Sequence, residues 1–263
     1  MRQGESVSDD RYVEAIDRVD QDPPRNRMTF EYMDELERAV IALRDDRDAR
    51  AVVITAAGEE HFSVGMDLKQ LMSGAQTRGG FDAVLDQRLR VLSLIEQLDK
   101  PVIATMFGYC LGGGLELPLA CHFRLAATEG ARIGLPELDL GTVPAWCGTA
   151  RLTRTVGRAH TLDMILRAKK IDGPTALAIG LVHELHPVAE LKAKAVELAE
   201  ELAAQPPIAV AGVLRAVIGA EHLPLEEALR IERDAVRRCS TSADQIEGMT
   251  AFLEKRRPLF SGR

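Results

Sequence analysis

The sequence predicts an α/β fold that continues into a helical C-terminal region. Three observations support this prediction: short β-branched runs typical of buried strands, amphipathic helical stretches that alternate with them, and glycine-rich turns between the two. Beyond residue 150, helical stretches dominate. We therefore expect an α/β core over residues 1–190 and a helical region over residues 191–263.

The first elements follow from the spacing of apolar side chains. Residues 1–10 are polar and acidic and are expected to fray, whereas residues 12–19 alternate weakly and predict a short edge strand. Thr29 is expected to cap an amphipathic helix over residues 29–46. Later patterns predict buried strands over 51–55, 101–105 and 123–127, and helices over 81–98 and about 114–121.

Pro118 supports the start of the helix over 114–121. We expect it to lie near the first helical turn, where its missing N–H costs no hydrogen bond within the helix. Further helices are expected over 149–155, 158–167, 173–179, 187–204, 206–220, 224–239 and 242–256.

Composition argues against several classes of function. The chain has 263 residues and a net charge of −7, which is unlike a nucleic-acid-binding protein that neutralises phosphates. No apolar run approaches the ~18 residues of a membrane helix, so membrane insertion is not expected. The four cysteines form no CxxC pair and the N-terminus has no apolar signal core. We therefore expect no metal site and reduced thiols in the cytoplasm.

A glycine triplet, Gly112–Gly114, stands at the predicted start of the helix over 114–121. Glycines expose main-chain N–H groups, which at a helix start carry the positive end of the helix dipole and suit an oxyanion or a phosphate. The sequence has neither the Gly-Lys-Ser/Thr of a P-loop nor the glycine spacing of a dinucleotide site. Taken alone, the triplet is explained equally well by a close helix–strand crossing.

Glu116 and Glu137 are the candidate acid–base residues. Glu116 lies in an apolar run, where burial raises the pKa of a carboxyl group and suits it to proton transfer. Glu137 lies in a turn bounded by glycine and proline, before a run over 138–140 that is expected to be extended and makes Asp139 a weaker third candidate. Either glutamate alone is more often an inert carboxylate. Their combination with the glycines favours function.

Four sequence blocks occur in order along the chain. They are Ala51-Val-Val-Ile-Thr-Ala-Ala-Gly with Phe62-Ser-Val-Gly-Met-Asp-Leu68, Lys100-Pro-Val-Ile-Ala with Gly108-Tyr-Cys-Leu-Gly-Gly-Gly-Leu-Glu-Leu117, Gly134-Leu-Pro-Glu-Leu-Asp-Leu-Gly141 with Gly148-Thr-Ala-Arg-Leu152, and Glu247-Gly-Met-Thr-Ala-Phe-Leu-Glu-Lys-Arg256. Together they resemble the crotonase (enoyl-CoA hydratase/isomerase) superfamily over about residues 23–260. Four blocks in order are specific for the fold and less specific for the reaction, because the fold hosts many reactions.

The resemblance implies a crotonase-type spiral of ββα turns with a C-terminal helical trimerisation region, assembled as a trimer or a dimer of trimers. The substrate would be an acyl-CoA thioester, with no separate cofactor because CoA is part of the substrate. Backbone N–H groups of Met66 and Gly113 would form the oxyanion hole. Glu116 would be the base that activates water, and Glu137 the acid that protonates Cα.

Candidate substrate-binding positions also follow from the resemblance. Arg25 and Arg27 would lie along the CoA, and residues 64–68 would line the adenine site. Phe252 and Lys255 fall where the C-terminal helix commonly reaches a CoA, sometimes that of a neighbouring subunit. The full set of these positions is Arg25, Arg27, Ser63, Val64, Gly65, Asp67, Leu68, Tyr109, Gly112, Pro136, Trp146, Phe252 and Lys255.

Several positions depart from the pattern of the superfamily. Residues 145–148 read Ala-Trp-Cys-Gly in place of Gly-Ala-Gly-Gly, and Trp146 is expected to border the acyl pocket rather than pack outward or at a subunit contact. Met66 replaces a smaller residue, and His122 stands where aspartate is usual and is expected to be structural. One extra residue is expected in the turn over 128–130, and the N-terminal hairpin of the spiral is expected to be shortened.

The sequence therefore predicts an enoyl-CoA hydratase. One alternative is an enoyl-CoA isomerase or another acyl-CoA lyase of the same superfamily that uses a single carboxylate. A second alternative is a non-catalytic acyl-CoA-binding protein, against which the two glutamates count.

Overall fold

The computed structural model of the chain describes residues 13–16, 25–221 and 223–263, so the fraying expected for residues 1–10 lies outside the described residues. The strands are β1 (Val13–Ile16), β2 (Ala51–Ile54), β3 (Val102–Met106), β4 (Tyr109–Leu111), β5 (Phe123–Ala127), β6 (Arg132–Gly134) and β7 (Glu184–His186). The helices are α1 (Phe30–Asp45), α2 (Leu68–Gly74), α3 (Phe81–Glu96), α4 (Gly113–Leu119), α5 (Gly148–Leu166), α6 (Gly173–Ala178), α7 (Val188–Ala203), α8 (Pro207–Ala220), α9 (Leu225–Ser240) and α10 (Ala243–Glu254). Short 3₁₀ helices cover Ala75–Arg78 and Glu137–Leu140.

A five-stranded parallel sheet lies at the centre of the fold. Its strand order is β1-β2-β3-β5-β7, and β4 pairs with β6 in a separate two-stranded parallel sheet. Every residue of β2 and β3 is buried, as expected of parallel strands covered on both faces. The predicted α/β fold is confirmed, and β1 is the edge strand that the weak alternation over 12–19 indicated.

Three strands were not predicted, because each has only three residues. β4, β6 and β7 are too short for alternation to stand out from their surroundings. β4 matters for the site, since it runs directly into the glycine triplet and sets where α4 begins.

The predicted helices are confirmed, with small differences at their ends. Thr29 caps α1, because its hydroxyl accepts a hydrogen bond from the Tyr32 N–H at 3.1 Å. α5 joins the two helices expected over 149–155 and 158–167. Gly157 (φ +78°, ψ 164°) interrupts the helical geometry between them.

Two local predictions were wrong. Pro118 lies in the second turn of α4 rather than near the first, so the Gly114 carbonyl loses its helical N–H and accepts the Cys110 Sγ–H at 3.1 Å instead. The run over 138–140 is part of a 3₁₀ helix and is not extended, because Gly141 (φ +70°) closes a tight turn after Pro136. Asp139 is exposed on that turn.

The C-terminal helices differ in how they are covered. α7 packs on the main sheet through the buried side chains of Leu191, Ala195, Ala199 and Ala203, whereas α8 and α9 pack chiefly against each other. The division at residue 190 stays a prediction, and α7 lies on the sheet beyond it. Among the described residues no single helix is long and apolar enough to cross a membrane. α7 and α8 together have that length and composition, but they are bent by 108°.

Candidate active site

The glycine triplet joins β4 to α4 and leaves a helix start open. Gly112 has a φ of +56°, which a residue with a side chain rarely adopts. Gly113 is the first residue of α4, so its N–H has no helical carbonyl to bond. Glu137 lies close to this turn, because its Oε1 would be 3.0 Å from a Cβ placed on Gly112. The Gly113 N–H and the positive end of α4 therefore face the space beside Glu137.

The backbone just before Met66 lies against the start of α4. A Cβ on Gly65 would lie 3.3 Å from the Gly113 nitrogen, so the two backbones are in close contact. The Met28 N–H donates to the Gly65 carbonyl, and the Met28 carbonyl accepts from the Asp67 N–H. In this parallel pairing the N–H of Met66, the residue between them, points away from Met28. This geometry suits a pair of donors for one anionic oxygen.

Glu116 is held by two backbone donors. Its Oε1 accepts hydrogen bonds from the N–H groups of Trp146 and Gly148, both at 2.8 Å, and the residue is buried. Burial raises the pKa of Glu116 to about 7, with the charge of Glu137 acting in the same direction. The two N–H donors and Arg151 oppose that rise.

Trp146 packs on the glycine turn. Three atoms of its ring would lie between 2.3 and 2.9 Å from a Cβ on Gly113, so only glycine allows this contact. Its carbonyl accepts a hydrogen bond from Arg151 at 3.0 Å, and Arg151 in turn forms a bidentate ion pair with Glu96 at 3.1 and 2.9 Å. The ion pair thus fixes the loop that supplies both donors to Glu116.

Glu137 stands at the start of the 3₁₀ helix with fewer partners. Burial raises its pKa, opposed by a hydrogen bond to its own backbone. Its Oε2 is buried and has no hydrogen-bond partner among the described residues. A carboxyl group in this setting favours the protonated form, which is able to donate a proton.

Ser63 and Asn26 hold the loop before α2. The Ser63 hydroxyl donates to the Asn26 carbonyl at 2.6 Å and accepts from the Gly65 N–H at 3.0 Å. The Asn26 side chain donates to Ala57 at 3.0 Å and His61 at 2.7 Å. Ser63 is fully buried, so it shapes the loop rather than lining a binding surface, contrary to its placement among the substrate-binding positions.

The positions predicted to line a CoA site are brought together in part. Arg27 forms an ion pair with Asp67 at 3.0 Å, and the Asp67 carboxylate caps α2 by accepting N–H groups of its first turn. Val64 donates its N–H to the Arg25 carbonyl at 3.1 Å, and Leu68 begins α2 with an exposed side chain. The segment before α1 and the loop before α2 therefore contact each other next to Met66.

The remaining predicted positions lie on other elements. Tyr109 is part-exposed on β4 and stacks on His61 with ring centroids 4.4 Å apart, and Pro136 directly precedes the turn of Glu137. Phe252 lies on α10 and Lys255 caps its end, both exposed. No contact among the described residues joins either of them to the two glutamates.

His122 has the structural role that the sequence indicated. Its Nδ1 accepts the Val102 N–H at 2.9 Å, and its Nε2 lies 3.3 Å from the Glu96 carbonyl. Burial lowers its pKa to about 4, so the ring is neutral at neutral pH and ties the end of α4 to α3 and β3.

Sequence reasoning missed Arg151 and Glu96: Arg151 bonds to the Trp146 carbonyl and lowers the pKa of Glu116 through its charge, and Glu96 holds Arg151 in place. The signal for Arg151 was present, because it lies in one of the four sequence blocks, but its partner is distant in sequence. Within the described chain, no group of three or more His, Cys, Asp or Glu side chains is arranged to hold a metal ion.

Comparison with known proteins assigns the family. The enoyl-CoA hydratase/isomerase family matches residues 16–263. A probable enoyl-CoA hydratase of Bacillus subtilis is 36% identical over 260 residues, covering 98% of each chain. A crotonyl-CoA hydratase of Syntrophomonas wolfei is 35% identical over 235 residues, covering 89% of each chain. The crystal structure of an enoyl-CoA hydratase from Bacillus anthracis superposes with a TM-score of 0.87 at 34% identity, covering 95% of each chain. With its parallel sheet, glycine turn and paired glutamates, the chain belongs to the enoyl-CoA hydratase/isomerase family and has the crotonase fold.

Proposed function

We propose that the chain adds water to the double bond of a trans-2-enoyl-CoA and that Glu116 and Glu137 carry the reaction. The observation that supports this most directly is the pair of carboxyl groups with raised pKa values at one glycine-rich helix start. Relatives named as hydratases over nearly the whole chain support the same reaction.

The thioester oxygen is the atom that needs the two backbone donors. Charge develops on this oxygen as the substrate becomes enolate-like, and the N–H groups of Met66 and Gly113 are its proposed partners. Loss of one such donor typically lowers the rate by roughly 10²–10³-fold. Because these donors belong to the backbone, the methionine side chain leaves them intact.

The surroundings of the two glutamates support different roles. The two N–H groups on Oε1 of Glu116 favour its charged form, which is the form that accepts a proton from water attacking Cβ. No donor among the described residues holds the buried Oε2 of Glu137 in its charged form, and Glu137 is the proposed donor of the proton to Cα. Each such transfer typically contributes about 10²–10⁴-fold.

Turnover of crotonyl-CoA tests the proposal. We expect loss of the enoyl-thioester absorbance with formation of 3-hydroxybutyryl-CoA, and a fall of about 10²–10⁴-fold in kcat for Glu116→Gln and for Glu137→Gln. Asp139→Asn, on the same turn as Glu137 but exposed, is the matched control and should keep kcat. A product with a moved double bond would favour an isomerase, and CoA binding without turnover across chain lengths would favour a binding protein.

The loop before α2 is the proposed contact for the CoA moiety. Val64 and Asp67 lie on this loop, and Leu68 begins α2. Arg25 and Arg27 belong to the segment before α1, where the ion pair of Arg27 with Asp67 holds the Arg27 cation beside the loop. The cytoplasm is the proposed compartment, because the four cysteines of the chain are all free.

Self-association is proposed from the C-terminal helices. α9 has no buried residue in the single chain, and α8 buries only Gly212. Exposed apolar side chains cluster on α8, α9 and α10, namely Val213, Val217, Leu225, Leu229, Val236, Ile246, Met249, Phe252 and Leu253. A contiguous exposed apolar surface is typical of a protein–protein contact, and this one fits a trimer or hexamer in which Phe252 and Lys255 reach a neighbour's CoA.

The mass in solution tests this assembly. We expect three or six times the chain's 28.8 kDa by light scattering, and a smaller species for Leu229→Glu combined with Val236→Glu, which places charges on the exposed face of α9. Leu166→Glu changes an exposed leucine outside this region and should keep the wild-type mass. A monomeric wild-type chain would contradict the proposal.

A further inference from the structure

Arg88 is a buried cation on α3 with an unused hydrogen-bonding edge. Its side chain has no exposed surface, and its Nη1 donates to the Val84 carbonyl at 3.3 Å and to Gln87 Oε1 at 2.9 Å. Its Nε and Nη2 are buried and have no hydrogen-bond partner among the described residues. A native structure rarely leaves buried donors unpaired without a functional reason.

Among the described residues, no carboxylate forms an ion pair with Arg88. Asp34 is near enough to act on its charge, but the Asp34 oxygens bond to Arg78 at 2.6 Å and to Gln87 at 2.8 Å. Burial lowers the pKa of Arg88 to about 10, with the charge of Arg78 adding to the effect. At neutral pH the guanidinium is still charged, and its desolvation is not repaid by an ion pair.

The Arg88 guanidinium lies near two aromatic rings, one of which also contacts the glycine turn. Its Cζ lies 5.2 Å from the ring centre of Phe30 and 5.8 Å from that of Trp146. The Trp146 ring packs on Gly113, and the Trp146 N–H bonds to Glu116. One side chain, Trp146, therefore lies between Arg88 and the proposed thioester site.

Two other arginines of the chain show which ligand fits the Nε and Nη2 atoms of an arginine. Arg151 holds both carboxylate oxygens of Glu96 through Nε and Nη2, and Arg215 holds Asp99 through the same two atoms. This edge matches a carboxylate with two parallel hydrogen bonds. In Arg88 the same two nitrogens are the ones that lack partners.

We propose that Arg88 selects acyl chains that end in a carboxylate, so that the preferred substrate is an enoyl-CoA of a dicarboxylic acid. The proposal rests on the hydratase function proposed above and names its substrate class. The carboxylate supplies the two missing hydrogen bonds and neutralises the buried cation, whereas a methyl end leaves both donors unpaired.

Substrate pairs of equal chain length test the proposal. We expect kcat/KM of the wild-type protein to be at least 10-fold higher for glutaconyl-CoA than for trans-2-pentenoyl-CoA, or for 2-hexenedioyl-CoA than for trans-2-hexenoyl-CoA. Arg88→Met should lower that ratio by about 10²-fold, the scale set by an unpaired buried donor. Arg90→Met changes an exposed neighbour on α3 that pairs with Glu37, and should keep the wild-type ratio.

Binding of saturated analogues separates the two proposals. Glutaryl-CoA and pentanoyl-CoA are not hydrated, so their Kd values report the preference even where turnover fails, and failure of hydration itself is read from the methyl-ended enoyl substrates. If Arg88→Met does not fold, Arg88→Lys replaces it, because lysine keeps the charge but loses the bidentate edge. A wild-type preference for the methyl-ended member in turnover and in binding would overturn the proposal, as would a ratio that Arg88→Met leaves unchanged.

Discussion

Glu116 and Glu137 lie beside the same glycine turn, but the protein surrounds them in different ways. Glu116 lies on α4, and its carboxylate accepts hydrogen bonds from two N–H groups at the junction of the preceding loop with α5. The ion pair of Arg151 with Glu96 holds this loop in position. Glu137 stands on a single 3₁₀ turn with one buried oxygen unpartnered. Glu116, the proposed base, is thus positioned by several elements, whereas Glu137, the proposed acid, is positioned chiefly by burial.

This difference decides how each glutamate responds to change elsewhere. Because Glu116 is hydrogen-bonded to the loop before α5, a substitution that moves this loop should move Glu116 more than Glu137. Glu137 has no such partners, so its position should respond mainly to changes in its own turn.

Gly148→Ala should displace the Glu116 carboxylate directly. The added Cβ would lie 2.7 Å from Glu116 Oε1 and 2.8 Å from its Cγ, so the carboxylate has to move. A shift of about 1 Å in a catalytic group typically costs about 10²-fold, and we expect kcat for crotonyl-CoA to fall by at least that factor. Gly248→Ala on α10, where the new Cβ makes an ordinary 3.4 Å contact, should keep kcat. Equal kcat values for the two variants would show that Glu116 is not held as described.

The stability of the protein should fall as pH rises through the titration of Glu116. Its pKa is about 7 in the folded protein against an ordinary value of 4.5, so the folded state keeps its proton to a higher pH than the unfolded state does. The contribution is therefore full below pH 4.5 and is lost between about 4.5 and 7, by up to about 3 kcal/mol. Urea unfolding over this range should show a decline that Glu116→Gln removes in large part.

Glu137→Gln is the comparison variant for this measurement. The pKa of Glu137 is also raised, so its loss should remove a part of the decline, but a smaller part than Glu116→Gln because Glu137 is less fully buried. A wild-type stability that is constant or increases between pH 4.5 and 7 relative to Glu116→Gln would contradict the assigned direction of the shift.

The sequence predicted those parts of the fold and site that depend on local pattern. Helices of several turns repeat their apolar face often enough to be recognised, whereas β4, β6 and β7 are too short. The turn of Glu137 was predicted as extended because Leu138-Asp-Leu140 alternates like a strand. Only the closing geometry at Gly141 makes it a 3₁₀ helix.

The roles of Arg88 and Arg151 could not be predicted, because they depend on residues far away in the sequence. Arg88 follows Val84 by four residues and so lies on the buried face of α3. Arg151 is far in sequence from Glu96, and only the folded chain brings the two side chains together. Local pattern predicts which residues are buried more readily than which partner each one meets.

Arg151 offers the finest test of the framework around Glu116, since it is a positioning residue that is not expected to touch substrate. Arg151→Met removes the donor to the Trp146 carbonyl, and we expect kcat to fall by about 10-fold, the scale of one charged hydrogen bond. Its charge also lowers the pKa of Glu116, so the acid limb of the profile of kcat/KM against pH should move to higher pH. Glu96→Gln loosens the same ion pair but leaves the Arg151 charge in place, and it should lower kcat without that displacement. A purely structural role would lower the melting temperature of both variants and leave the acid limb where it is in the wild-type protein.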